Sequence, residues 1–400
     1  MVEPRNRAGG EGPPDVGAET AAILAGRTEG ERSLAPVLYP SSTFEFFTVE
    51  EGRRQATSIA PDRFYSRYGN PTINAFEATI AELEGAEAAR AFASGMGAIS
   101  AVVLGICSSG DHIVAQRQLY AGTQLFLQTA CPRFGIDVTF VDGTQPGAFA
   151  EAVVPGKTML VLAETPANPR LDIIDLDALG AIVNALTVVD STFATPMGQT
   201  PLAHGVDLVL HSATKGIAGH NDATIGVVAG SDDLMSWLWG FAVLQGANAS
   251  PYDAYNAHRG VRTLDVRLRQ QAESARLLAD FLEAHDGVSD VRYPGLASHP
   301  QHELAVRQMR SMGGLLTFDL AGGLEAGRRF VEATSIARQA TSLGGPETLL
   351  CHSATTTHVS LTPEELEASG IGEGTVRVSC GLENVGDLIA DFGRGLDAAG

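Results

Sequence analysis

The sequence predicts an α/β protein: a larger part built on a mostly parallel sheet, then a smaller α+β part. Three observations carry this. From His112 to Ala229, short apolar runs alternate with helix-patterned segments, which implies right-handed crossovers onto one sheet. After Ser250-Pro251 a long polar-faced helical stretch leads into short strands mixed with helices, the pattern of an antiparallel sheet with its helices segregated. The chain has 400 residues, 44% hydrophobic and 18% charged, enough for two or three domains with sizeable cores.

In chain order, Met1 to about Gly17 is rich in Gly, Pro and charge. It lacks the apolar stretch of a secretory signal and reads as a disordered start. A short helix is expected over Glu19 to Gly26. Leu34 to Phe47 is extended, because Pro36 and Pro40 block a helix. Arg63 to Thr72 is a loop by its Gly-Asn-Pro content, and it presents aromatic rings and an arginine beside a turn. Asn74, Phe76, Ile80 and Leu83 keep mostly helical spacing from Thr72 to Gly85. Ser94-Gly95-Met96-Gly97 then feeds a helix over Ala98 to Ile106. A small turn at a helix N-terminus cradles an anion, since unpaired N–H groups and the helix dipole point at it. Gly95-Met96-Gly97 begins like a dinucleotide fingerprint, but Ser100 stands at the third glycine position, so a dinucleotide-dependent dehydrogenase ranks low.

Strands are expected at His112 to Ala115, Asp137 to Val141, Thr158 to Ala163, Leu186 to Asp190, Val206 to Leu210 and Ile225 to Ala229. Helices are expected around Ala121 to Ala130, Gly147 to Val153, Leu176 to Val183 and Asp232 to Val243. The later helical stretch, Tyr252 to Ala284, is interrupted near Gly260. Strands at Val288 to Tyr293, Gly314 to Asp319 and Thr375 to Ser379 then alternate with helices at Glu303 to Met309, Leu324 to Ala333 and Val385 to Leu396.

The formal net charge of -20 argues against nucleic acid and against an anionic membrane surface. Cys107, Cys131, Cys351 and Cys380 form no CxxC pair and read as reduced thiols of a cytoplasmic protein. No apolar run approaches the roughly 18 residues of a membrane span. His299 and His302 lack the further ligands of a zinc site and are expected in a solvated loop, so no metal is expected.

Three polar clusters fall where strands end, which is where open α/β sheets bind ligands. They are Glu164-Thr165-Pro166-Ala167-Asn168-Pro169, Asp190-Ser191-Thr192-Phe193, and His211-Ser212-Ala213-Thr214-Lys215. Lys215 can form a Schiff base, and Ser212 and Thr214 can hydrogen-bond a phosphate. A pyridoxal 5'-phosphate (PLP) site needs that lysine, a phosphate cradle, an acid for the pyridinium nitrogen, a ring against the pyridine face and an anchor for the substrate carboxylate. Gly95, Met96, Ser212 and Thr214 suit the cradle, Asp190 the acid and Tyr120 the ring. Asn168, flanked by prolines, can donate to the phenolic oxygen of PLP. Arg377, between Val376 and Val378, suits a carboxylate bound by both arms of its fork. Each has a plain alternative: a surface lysine, a turn aspartate, a structural salt bridge. Their joint order along the chain, cradle, ring, Asn, Asp, Lys, Arg, favours the PLP site. His211 reads as a packed neighbour of Ser212 rather than a catalyst.

Taken together, the chain resembles the PLP-dependent cysteine/methionine metabolism family: cystathionine γ-synthase, cystathionine γ- and β-lyases, methionine γ-lyase and O-acylhomoserine sulfhydrylases. The resemblance runs from about Ala35 to the C-terminus. It rests on Tyr65-Ser66-Arg67, Asn70-Pro71-Thr72, Ser94-Gly95-Met96, Tyr120 with Gly122-Thr123, and Glu164-Thr165-Pro166 with Asn168-Pro169. It continues through Asp190, His211 to Lys215, Gly219-His220, Arg259-Gly260, Ser342 to Gly345 with Glu347, Thr357-His358 and Arg377-Val378-Ser379.

The resemblance implies an aspartate-aminotransferase-like type I fold. Residues 1–68 would form an N-terminal arm and extended segment completing the neighbouring active site, 69–264 the PLP-binding domain, and 265–400 the C-terminal α+β domain. It implies a homotetramer of two tight dimers, with Tyr65 and Arg67 reaching the neighbour's PLP phosphate. Arg377 with Ser342 would bind the substrate α-carboxylate, Lys215 would shuttle protons, Tyr120 would act as acid, and Glu347 would meet an amino-bearing substrate. Gly122 stands where methionine γ-lyases often carry Cys, and Phe64 where cystathionine γ-lyases often carry Glu. The expected reaction is γ-elimination on L-methionine, L-homocysteine or L-cystathionine. The alternative is γ-replacement on an O-acylhomoserine.

Overall fold

The computed structural model describes residues 16–27, 32–356, 359, 366 and 370–400. Most of the expected disordered start lies outside these residues, as do Thr357 and His358. The first elements are α1 (Ala18–Leu24), α2 (Val49–Thr57), α3 (Pro71–Glu84), β1 (Ala88–Phe92), α4 (Gly95–Ile106), β2 (His112–Gln116) and α5 (Ala121–Thr129). Then come β3 (Asp137–Val141), α6 (Ala148–Ala152), β4 (Thr158–Glu164), α7 (Leu176–Gly180), β5 (Leu186–Asp190), α8 (Thr195–Gly198), β6 (Leu208–His211), β7 (Gly226–Gly230) and α9 (Asp232–Gln245). The remainder comprises α10 (Pro251–Val261), α11 (Leu264–Glu283), β8 (Val288–Arg292), α12 (His302–Gln308), β9 (Leu315–Leu320), α13 (Gly323–Ala333), β10 (Arg338–Gln339), β11 (Leu349–His352), β12 (Thr375–Ser379) and a C-terminal helix, Val385–Ala399.

The first sheet has seven strands in the order β1-β7-β6-β5-β4-β2-β3. Its pairings from β3 to β6 are parallel, and β7 runs against both of its neighbours. Alternate residues feed opposite faces, as the strand period requires. Val209 packs with Phe76 and Ile80, whereas Leu208 and Leu210 pack with Ile99, Val102 and Leu238. Burial on both faces is why these strands read as continuous apolar runs. The parallel topology brings the C-terminal ends of β2, β4, β5 and β6 to one edge.

The second sheet has five strands in the order β10-β11-β12-β9-β8 and is antiparallel except for β10 on β11. Phe330 meets Phe318 and Phe392 edge-on at 5.2 and 5.4 Å between centroids, a favoured aromatic geometry.

The structure departs from the sequence reading in five places. Helix α2 and the one-turn helix α8 were not expected. Strand β1 was not expected either, since Ala88-Ala89-Arg90-Ala91-Phe92 has helical propensity; full-length pairing with β7 overrides it. Strands β10 and β11 lie in what read as loop. His299 is buried rather than solvated, and burial lowers its pKa to about 4. The interruption between α10 and α11 falls at Arg262-Thr263, just past Gly260. Among the described residues no helix is long and apolar enough to cross a membrane.

Candidate active site

The ends of β4, β5 and β6 open into a cavity of about 520 Å³, whose far wall is Ser342, Leu343 and Arg377. The groove beside the N-terminal segment holds about 50 Å³.

Lys215 enters this cavity from the turn after β6. Its Nζ donates to Ser342 Oγ at 2.8 Å. Burial, helped by the charge of Arg377, lowers its pKa to about 8, because a dry wall disfavours the ammonium. Ser342 has φ 79°, a left-handed conformation that costs a non-glycine residue about 1–3 kcal/mol. Its carbonyl accepts from Arg377 Nη2 at 3.0 Å, so the strained residue is held from both sides.

Asp190 ends β5 and is buried. Its Oδ1 accepts from the Thr192 N–H at 3.0 Å and from the Thr192 hydroxyl at 2.5 Å. That hydroxyl in turn accepts from the Ser212 N–H at 2.8 Å. Among the described residues no hydrogen bond engages Asp190 Oδ2. Burial raises the Asp190 pKa, and the Thr192 bonds oppose the rise. A cationic ring nitrogen on the free oxygen would satisfy both the charge and the lone pair. Behind this wall His211 Nε2 and Glu84 Oε1 pair at 2.6 Å, both fully buried. His211 is thus a packed residue outside the cavity lining.

Ser94 caps α4, its Oγ accepting from the Gly97 N–H at 3.0 Å. The N–H groups of Gly95 and Met96 have no partner among the described residues, and both residues line the cavity. A Cβ on Gly95 would lie 2.8 Å from Ser212 Cβ, so only glycine lets the turn close on Ser212. The Thr214 hydroxyl also lines the cavity, but it donates to Ile225 O (3.2 Å) and accepts from Ile225 N–H (2.8 Å). It must exchange the first bond to reach a phosphate. This cradle, the free carboxylate oxygen and a lysine whose pKa is lowered toward neutrality fit the phosphate, ring nitrogen and aldehyde of PLP.

Asn168 Oδ1 accepts from Arg377 Nη1 at 2.9 Å. Arginine only donates, so the amide nitrogen of Asn168 is left as a donor, as the sequence reading requires. Tyr120 precedes α5, and its ring leans over Gly122, where a Cβ would lie 2.5 Å from it. Glu164 and Thr192 also line the cavity; the sequence reading placed both in strand-end clusters but gave them no role. Burial and the charge of Asp190 raise the Glu164 pKa to about 8.

Three expected residues stand outside the cavity lining. Glu347 is exposed and accepts from Asn221 Nδ2 at 2.8 Å. Arg67 donates to Val243 O at 2.8 Å and lies 5.6 Å from the Tyr65 ring centroid.

A lysine, an aspartate and a glycine-lined anion cradle at strand ends of one sheet, faced by an arginine from a second sheet, define a PLP-dependent enzyme. The chain belongs to the Cys/Met metabolism PLP-dependent enzyme family, which matches residues 19–397. It is 43% identical over 389 residues to an L-methionine gamma-lyase of Porphyromonas gingivalis, covering 96% of this chain and 97% of that protein. It is 42% identical to an O-succinylhomoserine sulfhydrylase of Pseudomonas aeruginosa, covering 95% of each. A cystathionine gamma synthase of Xanthomonas oryzae pv. oryzae, solved with aminoacrylate and cysteine, superposes with a TM-score of 0.90 at 38% identity, covering 96% of this chain and 98% of the other. The type I PLP fold read from the sequence is the fold of the chain.

Proposed function

We propose that the protein performs γ-elimination on a sulfur amino acid of the methionine type, consuming one water and yielding a thiol, ammonia and 2-oxobutyrate. One observation carries the choice of substrate. Among the described residues, the carboxylates lining the cavity are Glu164 and Asp190, both at strand ends, while Met96, Ile99, Phe193 and Leu343 give an apolar wall. Such a wall suits a thioether and offers no further carboxylate to a distal ammonium. L-methionine and L-homocysteine therefore rank above L-cystathionine, and the similarity to L-methionine gamma-lyases supports the order.

Bound PLP supplies an electron sink for the charge that builds at Cα. Gly95, Met96, Ser212 and Thr214 hold its phosphate, Asp190 keeps its ring nitrogen protonated, Asn168 donates to its phenolic oxygen and Tyr120 covers its ring. Arg377, steadied by Ser342, takes the substrate α-carboxylate as a fork. Lys215 Nζ would take the proton from Cα, hand it to the bound cofactor and, neutral again, take one from Cβ, while the Tyr120 hydroxyl would protonate the departing sulfur. The same groups serve γ-replacement on an O-acylhomoserine, and the similarity to a sulfhydrylase keeps that reading second. The deciding experiment offers the PLP-loaded protein methionine, cystathionine and O-acetylhomoserine, with and without sulfide or cysteine. 2-Oxobutyrate from methionine without added thiol supports elimination. Product only with a thiol present would replace it with γ-replacement.

A second copy of the chain completes the site. Among the described residues, the cations lining the cavity are Lys215 and Arg377, and both are engaged, by Ser342 and by Asn168. A dianionic phosphate needs one more, which Arg67 with Tyr65 provides from a neighbouring subunit, in a cytoplasmic homotetramer of two tight dimers. Mixing inactive Lys215→Ala with inactive Arg67→Ala protein then restores activity in the hybrid dimers; no restoration would remove the shared site.

A further inference from the structure

Glu164 sits where three parts of the cavity wall meet, and no role proposed above uses it. It ends β4 opposite Asp190 on β5 in parallel register, so both carboxyls leave the sheet on one side and both line the cavity. Its two oxygens are divided between two segments. Oε2 accepts from the backbone N–H of Tyr120 at 2.7 Å, and Oε1 from that of Asn168 at 2.8 Å. Its own N–H donates to Oε1 of the buried Gln116 at the end of β2, 2.9 Å away. Tyr120 is the N-cap of α5, so the carboxyl also faces the positive pole of that helix. The Asn168 side chain is meanwhile tied to Arg377. One carboxyl therefore fixes the main chain at both points from which the ring and the amide enter the cavity.

We propose that Glu164 is a positioning residue, whose two oxygens set the Tyr120 ring and the Asn168 amide in register with each other against the bound cofactor. The inference rests on the function proposed above for the roles of Tyr120 and Asn168. Both roles are directional, and a displacement of about 1 Å at such groups costs up to about 100-fold in rate. A carboxyl group can accept from both N–H groups, since a proton on one oxygen still leaves that oxygen a lone pair. An amide in its place accepts one and turns its own N–H at the other.

The test compares Glu164→Gln and Glu164→Asp with the parent, each loaded with PLP. Without substrate, the absorbance and circular dichroism of the visible cofactor band and cofactor retention on dialysis are read first; kcat and KM follow. Both variants are expected to keep the parent's far-ultraviolet spectrum, to shift the cofactor band or weaken its dichroism, and to lower kcat about 10- to 100-fold with a smaller change in KM. In a Tyr120→Phe background, Glu164→Gln is expected to cost less than in the parent, because the hydroxyl it places is already gone. An unchanged band with unchanged kcat overturns the proposal. So does full multiplication of the two effects in the double variant, or failure of both single variants to fold, which would make Glu164 a core residue only. The band is read without substrate. A parent with a normal band and no product in the substrate panel would overturn the proposed reaction while the positioning role is tested on its own.

Discussion

The two walls of the cavity hold their side chains by different means. On the wall made by the first sheet, partners are close in sequence or on neighbouring strand ends: Thr192 grips Asp190 two residues away, Ser94 caps Gly97 three residues away, and the Ser212 N–H reaches Thr192 across 20 positions. On the facing wall, partners are remote. Lys215 reaches Ser342 across 127 positions, and Arg377 reaches Asn168 across 209. The first wall combines such short links with contacts between neighbouring strand ends, so it forms with the first sheet alone. The second exists only once both sheets have packed, and it carries the arginine that meets the substrate carboxylate.

The sharpest way to break this contrast is at its seam. Lys215→Ala removes the group joining the walls and is expected to lower 2-oxobutyrate formation about a thousand-fold or more, with loss of the visible cofactor band. Arg377→Lys keeps a charge on the remote wall but loses the fork. It is expected to raise KM about 100-fold, with the cofactor band intact, as measured by steady-state kinetics. The seam also titrates. With Lys215 near pKa 8 in the cofactor-free protein, the neutral amine rises about tenfold per pH unit below that value and levels off above it. The rate of PLP capture, followed by the growth of the visible band, is expected to rise with pH in the same way. On the local wall, Thr192→Val strips one bond from Asp190 and leaves the Ser212 N–H without its acceptor. About 1 kcal/mol or more is at stake, and equilibrium dialysis is expected to show PLP binding weakened five- to tenfold. Glu347→Gln lies on neither wall and is expected to change kcat/KM for methionine by less than about twofold.

The same contrast decides what was legible in the sequence. The strands of the parallel sheet announced themselves because both faces are buried, and Gly95, Asp190 and Lys215 follow from where strands and helices meet. Helix α2 carried a legible signal that the apolar pattern hid. Thr48 and Glu51 have the spacing of a capping box: the Thr48 hydroxyl accepts from Glu51 N–H at 3.0 Å, while the Glu51 carboxylate accepts at 2.8 Å from the N–H of Phe47, one residue before the cap. Its faces are otherwise polar, so periodicity did not mark it. Strand β1 had no such signal, since only β7 makes Ala88–Phe92 extended. Glu164 was visible as a strand-end acid, but its grip on Tyr120 spans 44 positions, a distance no local pattern encodes. The family pattern supplied Glu347, yet the fold turns it to Asn221 at the surface.

Arg377 is aimed before any substrate arrives. Nη1 rests on Asn168 and Nη2 on the Ser342 carbonyl, so the plane of the guanidinium is settled while the chain folds. Freezing such a side chain at the moment of binding costs about 0.5–1.5 kcal/mol; here that entropy is lost once, during folding, and each incoming amino acid meets a rigid receptor. Substrate affinity is thereby tied to the integrity of the second sheet. A substitution among Phe318, Phe330 and Phe392, in the aromatic core behind β12, would first register as weaker capture of the amino acid, before the reacting groups themselves were disturbed.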